Sequence, residues 1–184
     1  MQCLISSIAL HMADTAPDIE FDPRKSLFRI YRDVRFSKNK APYKTNVAAS
    51  FEMKRRSGTG ETPGLYVGIE PGEIFIGGGI YLPNGEQLKG IRRMIADRPA
   101  EFLDLVKSPS FRRRFGEIQG EKLSKAPLGY PRDHQMISYL QYKQFFIGAE
   151  LADTACLNKR FLDTVVRVFG EALPFVRWLA VATS

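Results

Sequence analysis

Three strand-like runs constrain the fold of this 184-residue chain more than any other feature. Residues 46–53 alternate between apolar and other side chains, as a strand with two different faces does. Residues 64–69 and 73–82 flank Pro71-Gly72, and proline followed by glycine suits the centre of a type II turn. The pattern predicts an antiparallel hairpin within a sheet.

Three consecutive glycines, Gly77 to Gly79, interrupt the second strand of this hairpin. Glycines inside a strand weaken it and mark a bulge or a close approach to the backbone. Neither the P-loop pattern nor the dinucleotide fingerprint is present, since both need more glycines at fixed spacing and a helix directly afterwards. We therefore predict a bulge against which a helix packs.

Helix-start signals follow the strands. Asn84 is a predicted N-cap for a helix over 85–97, and Pro99 and Pro109 each suit the first turn of another helix. The helix from Pro109 turns Phe111 and Phe115 inward and the arginines 112–114 outward.

Weaker patterns complete the prediction. They indicate helices over 3–12 and 134–139, a strand over 141–151, and a long final helix that is capped by Asp153 or Thr154 and has Leu157 on its inner face. Strands followed by helices are typical of an α+β domain, in which helices pack on one face of an antiparallel sheet. The length fits a single domain over 1–184.

Positive charge is concentrated in one segment. Residues 24–56 carry a local balance of +9, against +7 for the whole chain. Within it, residues 27–36 alternate like a half-buried strand. The predicted inward face holds Phe28, Ile30, Val34 and Phe36, and the outward face holds Leu27, Arg29, Tyr31, Asp33 and Arg35. Arg32 falls on the inward face, so we predict that it is a structural residue, buried and paired with a carboxylate.

A localised cationic patch predicts an anionic partner. Arginine presents a planar fork and lysine a point charge, and together they suit phosphate groups. The predicted ligand-binding residues are Arg29, Arg35, Lys40, Tyr43 and Lys44. The alternative interpretation is a solvated strand face with a structural ion pair at Asp33.

Catalytic and metal signals are sparse. Asp33 and His134 are the main candidates for acid–base chemistry, and Glu52, Glu70 and Asp133 are further ones that only the fold could bring together. A single histidine is more often structural. The two histidines and two cysteines have no metal-ligand spacing, so we predict neither a metal nor a cofactor. No segment has the length and apolar character of a membrane span or of a signal peptide, and a cytoplasmic location is the prediction.

The cationic segment also contains a long signature, R-x-x-R-D-x-R-F-x-x-[DN]-K-x-x-Y. It is met by Arg29, Arg32, Asp33, Arg35, Phe36, Asn39, Lys40 and Tyr43. The signature resembles that of a conserved family of uncharacterised proteins from bacteria and some fungi. Such proteins usually have a further stretch before the signature. We therefore expect this chain to be shortened at its start, with an exposed apolar patch near Leu4, Ile8 and Phe21.

The resemblance implies no activity, so the functional hypotheses come from the residues. The leading one is an anion-binding protein that takes a phosphorylated ligand or nucleic acid. The alternatives are a metal-independent enzyme for an anionic small molecule and a scaffold protein whose signature is only structural. A concave pocket favours the enzyme, and a broad basic surface favours nucleic acid.

Overall fold

The computed structural model describes residues 1–29, 44–54 and 60–184. A four-stranded antiparallel sheet lies at its centre, with its strands in sequence order. The strands are β1 (Val47–Glu52), β2 (Gly64–Glu70), β3 (Glu73–Ile80) and β4 (Phe145–Leu151). Gly72 has a φ of 93°, which a type II turn requires at its third position. The predicted hairpin is confirmed.

The described residues include six α-helices and one 3₁₀ helix. They are α1 (Gln2–Met12), α2 (Gly85–Asp97), α3 (Pro99–Val106), α4 (Pro109–Phe115), α5 (Ile137–Leu140), the 3₁₀ helix (Asp153–Leu157) and α6 (Phe161–Ala182). Helix α6 lies against the central strands β2 and β3, and α1 to α4 gather around it. The fold is therefore a single α+β domain, as predicted.

The core lies between α6 and one face of the sheet. Alternate strand residues on this face are fully buried, among them Phe51, Leu65, Ile76 and Ile147. Helix α6 contributes buried side chains along its length because its apolar positions recur at helical spacing. The Phe169 ring, for example, packs edge-on against Phe51 at 5.6 Å between centroids.

The predicted starts of α2, α3 and α4 are confirmed. Asn84 accepts a hydrogen bond from the backbone N–H of Gln87, and the Gln87 side chain accepts one from the Asn84 N–H. This reciprocal pair is a capping box, which satisfies two N–H groups that a helix start leaves without partners. Pro99 and Pro109 each occupy the first turn of their helices.

Strand β3 contains no bulge, so that prediction is wrong. Its pairing with β2 is regular through the three glycines, with Gly64 opposite Gly79 and Leu65 opposite Gly78. The predicted close approach is confirmed. A Cβ at Gly78 would lie 2.8 Å from Val176 Cγ2 of α6, while Cβ atoms at Gly77 and Gly79 would meet the backbone of β4. The glycines therefore let a helix and a neighbouring strand approach β3 closely.

The final helix begins later than predicted. Residues 153–157 form the separate 3₁₀ helix, and α6 starts at Phe161. The Asp153 carboxylate accepts a hydrogen bond from the Gly72 N–H at 2.9 Å, so it anchors the β2–β3 turn instead of capping α6. Leu157 consequently is 83% exposed and does not lie on an inner face.

The prediction of an exposed apolar patch near the start of the chain is wrong. Ile8 is fully buried, Leu4 packs against the core, and the Phe21 ring lies 5.0 Å from the Phe51 ring. The reason is that α1 packs on α6 and Phe21 packs on β1. An ion pair also holds the chain after α1 against α6. Arg177 donates to both Asp18 carboxylate oxygens at 2.7 Å.

The arginines of α4 separate into two kinds. Arg112 and Arg113 are exposed, as predicted. Arg114 differs from the prediction, because its guanidinium donates two hydrogen bonds to the Glu171 carboxylate of α6. This pair raises the pKa of Arg114 and lowers the pKa of Glu171. Arg114 therefore fastens α4 to α6.

Candidate functional site: an aromatic cleft on the second face of the sheet

Five aromatic side chains lie along the sheet face that points away from α6. They form a continuous series of ring contacts in the order Phe28, Tyr66, Phe75, Phe146, Tyr81, with centroids 6.2, 6.1, 6.4 and 5.6 Å apart. Phe28 and Tyr81 are 45% and 56% exposed. Exposed rings in contact on a sheet are unusual, since large apolar side chains are more often buried. This face is therefore a candidate binding surface.

Glycines make room for these rings. Tyr66 lies between Gly64 and Gly68 on the same face, because residues two apart in a strand point the same way. A Cβ at Gly68 would lie 2.6 Å from the Tyr66 hydroxyl, and one at Gly148 would collide with the Phe75 ring. The rings of Tyr66 and Phe75 thus rest on glycine backbone.

A cavity of about 670 Å³ lies on this face. Its floor includes Gly64 and Gly79, which are cross-strand partners and leave the backbone without side chains between β1 and β4. All five rings contribute to its walls. The volume is in the range of about 300–1,000 Å³ that is typical of small-molecule sites.

The charged residues of the described lining are all acidic. Glu52, Glu61, Glu70 and Glu73 line the cavity, and the described lining contains no Lys, Arg or His. The Glu61 carboxylate accepts hydrogen bonds from the backbone N–H groups of Tyr81 and Leu82, which fixes its position. Burial, and then the charge of Glu70, raises the pKa of Tyr66, so its hydroxyl keeps its proton as a hydrogen-bond donor.

Phe28 is placed differently from the prediction, which had it facing the core. The N–H of Phe28 donates to Ala48 O at 3.0 Å, and the N–H of Ser50 donates to Ser26 O at 2.9 Å. These bonds place Leu27 opposite Ala49, so Leu27 packs on the core and Phe28 points into the cavity. A shift of one residue in the register of a strand moves every side chain to the opposite face, which is how Leu27 and Phe28 differ from the prediction.

The structure describes two of the five predicted ligand-binding residues. Arg29 and Lys44 are both exposed, and the Lys44 ammonium lies 5.9 Å from the centre of the Phe28 ring. The cationic charge of Lys44 therefore lies beside a wall of the cavity. Arg35, Lys40 and Tyr43 lie outside the described residues, as do the predicted structural residue Arg32 and the catalytic candidate Asp33.

His134 makes two local contacts. Its Nδ1 accepts a hydrogen bond from the Met136 N–H at 3.1 Å, and the Tyr130 ring meets it edge-on at 5.7 Å. His134 is not among the residues that line the aromatic cavity. It therefore does not join the aromatic cleft.

Residues 1–29, 44–54 and 60–184 contain neither a metal-binding cluster nor a membrane-spanning helix. No group of three or more His, Cys, Asp or Glu side chains there is arranged to hold a metal ion. No helix in those ranges has both the length and the apolar character needed to cross a bilayer.

Sequence reasoning named Glu52 and Glu70 as acid–base candidates, but it missed Glu61, Glu73 and the series of rings. Strand β3 has apolar residues on both faces, so alternation does not separate Phe75 from its neighbours Ile74 and Ile76. One signal was available. Aromatic residues with glycines two positions away recur three times, at 64–68, 75–79 and 146–148, and such residues share one sheet face.

Comparisons with known proteins place the chain in one family. Neither the curated proteins nor the solved structures gave a significant match. A family model described as "Conserved hypothetical protein (DUF2461)" matches residues 1–178, nearly the whole chain, and the chain therefore belongs to that family.

Proposed function

We propose that the protein binds ligands that combine a planar ring with phosphate groups, either free nucleotides or the nucleotides of a single strand. The observation that carries the proposal is the series of aromatic rings in an open cavity whose edge is flanked by Lys44. Rings supply stacking surfaces, and cations supply phosphate contacts.

The ring-binding part of the proposal is supported by Tyr81 and Phe146. Both rings line the cavity, their centroids lie 5.6 Å apart, and Tyr81 is more than half exposed. Beside them, Gly64 and Gly79 leave the sheet backbone open to close approach by a flat group. Stacking of a base on an aromatic side chain contributes about 1–3 kcal/mol.

The phosphate-binding part is supported by charge at the cavity edge. Lys44 lies against Phe28, and Arg29 follows Phe28 directly in the sequence. The cationic residues Arg35 and Lys40 of the signature lie between Arg29 and Lys44 in the chain, and we retain both as proposed phosphate ligands together with Tyr43. The cytoplasmic location predicted from the sequence would give access to such ligands.

A small-molecule enzyme is the second candidate, and the concave shape of the cavity favours it over a scaffold. Glutamates 52, 70 and 73 would be available for acid–base chemistry there. An enzyme would turn over an anionic substrate, and Asp33→Asn, the substitution of the signature carboxylate, would abolish turnover and leave binding intact.

The test is a fluorescence-anisotropy titration of labelled single-stranded and double-stranded oligonucleotides across a salt series, with unlabelled mononucleotides as competitors. We expect the single strand to bind better than the duplex, because stacking needs unpaired bases. Effective competition by mononucleotides would identify free nucleotides as sufficient ligands, whereas binding of the strand alone would identify the polymer.

Two substitutions test which residue contacts the base and which contacts the phosphate. Tyr81→Leu should weaken single-strand binding about tenfold, and Tyr81→Phe should not, since stacking needs the ring and not the hydroxyl. Lys44→Ala should lower the log–log salt slope by about 0.7, the contribution of one phosphate on a single strand. Lys107→Ala is the matched control, because Lys107 is an exposed lysine at the end of α3.

Absence of measurable binding by the wild-type protein at low salt, to both strands and mononucleotides, would overturn the proposal. Equal binding by wild type and Tyr81→Leu would overturn the assignment of the rings.

A further inference from the structure

We infer that Glu52 and Glu61 make the cleft select rings that carry amino groups, namely adenine, cytosine and guanine, over uracil and thymine. This inference rests on the proposed function and specifies the ligand of the same cleft. It would make the two glutamates specificity-determining residues.

The strand register places Glu52 at one edge of the cavity floor. Glu52 of β1 pairs with Gly64 of β2, Gly64 pairs with Gly79 of β3, and Gly79 pairs with Phe146 of β4. The four residues form one row across the sheet, and all four line the cavity. A flat group on the two glycines therefore has a carboxylate at one side and an aromatic ring at the other.

Glu61 lies at the same end of the cavity. The backbone N–H groups of Tyr81 and Leu82 donate to its two carboxylate oxygens, and the Gln87 side chain donates to its backbone oxygen at 2.6 Å. Glu61 is thus held in place from both its side chain and its backbone. A carboxylate has about four acceptor sites, so these bonds leave it able to accept from a ligand.

The chemistry of these walls selects for hydrogen-bond donors. An ionised carboxylate only accepts hydrogen bonds, and the described lining holds no cation that would neutralise it. Exocyclic amino groups of adenine, cytosine and guanine donate, and a carboxylate accepting from the cytosine amino group is a known pairing. Uracil and thymine carry a carbonyl oxygen where cytosine carries its amino group, and a carboxylate repels that oxygen. Their one ring donor, N3–H, lies between two carbonyl oxygens.

The experiment is a competition titration with AMP, CMP, GMP and UMP against one labelled single-stranded oligonucleotide. The four compounds carry the same phosphate and ribose, so differences report on the ring. We expect UMP to compete about tenfold less well than CMP, the pair closest in size.

Glu52→Gln tests the residue assignment. The amide both donates and accepts, so we expect the CMP-to-UMP ratio to fall severalfold, mainly because UMP binds better. Glu86→Gln is the matched control, since Glu86 is an exposed glutamate in the first turn of α2, and it should leave the ratio unchanged.

Equal competition by all four nucleotides would overturn this inference and leave the proposed function standing. No competition by any nucleotide, together with no binding of the strand, would instead overturn the proposed function. A ratio that Glu52→Gln leaves unchanged would also overturn the inference, because the selection would then have another source.

Discussion

Substitution of Gly78 by alanine should destabilise the protein through a steric conflict with α6. The new Cβ would lie 2.8 Å from Val176 Cγ2, against about 3.5–4.0 Å for an ordinary contact between carbon atoms. The backbone oxygen of Gly64 would also lie 2.8 Å away, so the helix and the neighbouring strand would both have to shift. Overpacking of this kind costs about 1–3 kcal/mol.

Thermal and urea denaturation followed by circular dichroism measure this cost. For a chain of this size, each kcal/mol corresponds to roughly 2–4 °C, so we expect the melting temperature to fall by roughly 2–12 °C. Gly170→Ala is the matched control. Gly170 lies inside α6 and a Cβ there meets no atom within 4 Å, so alanine should stabilise the protein by about 0.5–1 kcal/mol.

A double-mutant cycle identifies the source of the conflict. Val176→Ala removes the methyl group that opposes the new Cβ, so the double variant should be more stable than the sum of the single losses by about 1 kcal/mol. A neutral or stabilising Gly78→Ala would refute the close packing of α6 on β3. Strict additivity would show that the Gly64 backbone, and not Val176, produces the cost.

Two further predictions concern stability. The hydrogen bond from Arg177 holds the pKa of Asp18 below its ordinary value, so the stabilisation is complete above that value and is lost as pH falls through the lowered pKa. Asp18→Asn should therefore lower the free energy of unfolding by about 1 kcal/mol at neutral pH. Urea denaturation at a series of pH values should show the gap between the wild-type and variant free energies shrinking below about pH 4. A gap that stays constant with pH would contradict the ion pair. Asn84→Ala removes the cap of α2, so it should lower the free energy of unfolding by about 0.5–2 kcal/mol in the same urea assay. Asn84→Ser should keep most of that stability, because serine is also a good N-cap. An equal loss in both variants would contradict the capping role.

Local signals allowed most of the fold to be predicted. Proline followed by glycine specified the turn of the hairpin, and Asn84 specified the start of α2. Each signal acts within a few residues, because turn and cap geometry depend on nearby backbone atoms. The order of strands and helices then sufficed for the fold class.

The predictions that failed depended on contacts between distant residues. Asp153 carries a good capping side chain but bonds Gly72, 81 residues earlier in the chain. Arg114 continues an exposed arginine run but meets Glu171 of α6. A sequence pattern gives the preference of a residue for a helix, a strand or a cap. It does not reveal which distant residue the folded chain brings next to it.

The aromatic cleft shows the same limit for the candidate site. The site was predicted from the positive charge of the signature segment, whose residues 30–43 lie outside the described structure. The rings come from β2, β3, β4 and the residues beside β1, and only the strand register brings them onto one face. Lys44, which was predicted as a ligand-binding residue, lies beside Phe28 of that face.

The position of α6 in the chain has a consequence for biosynthesis. All four strands precede Phe161, yet α6 covers the apolar face of the central strands. At translation speeds of about 5–20 residues per second, the synthesis of α6 takes seconds, and during this time the apolar face of the sheet is exposed to water. Chaperones that bind exposed apolar strands should therefore hold the nascent chain until α6 has left the exit tunnel, and messages truncated before Phe161 should yield aggregated product.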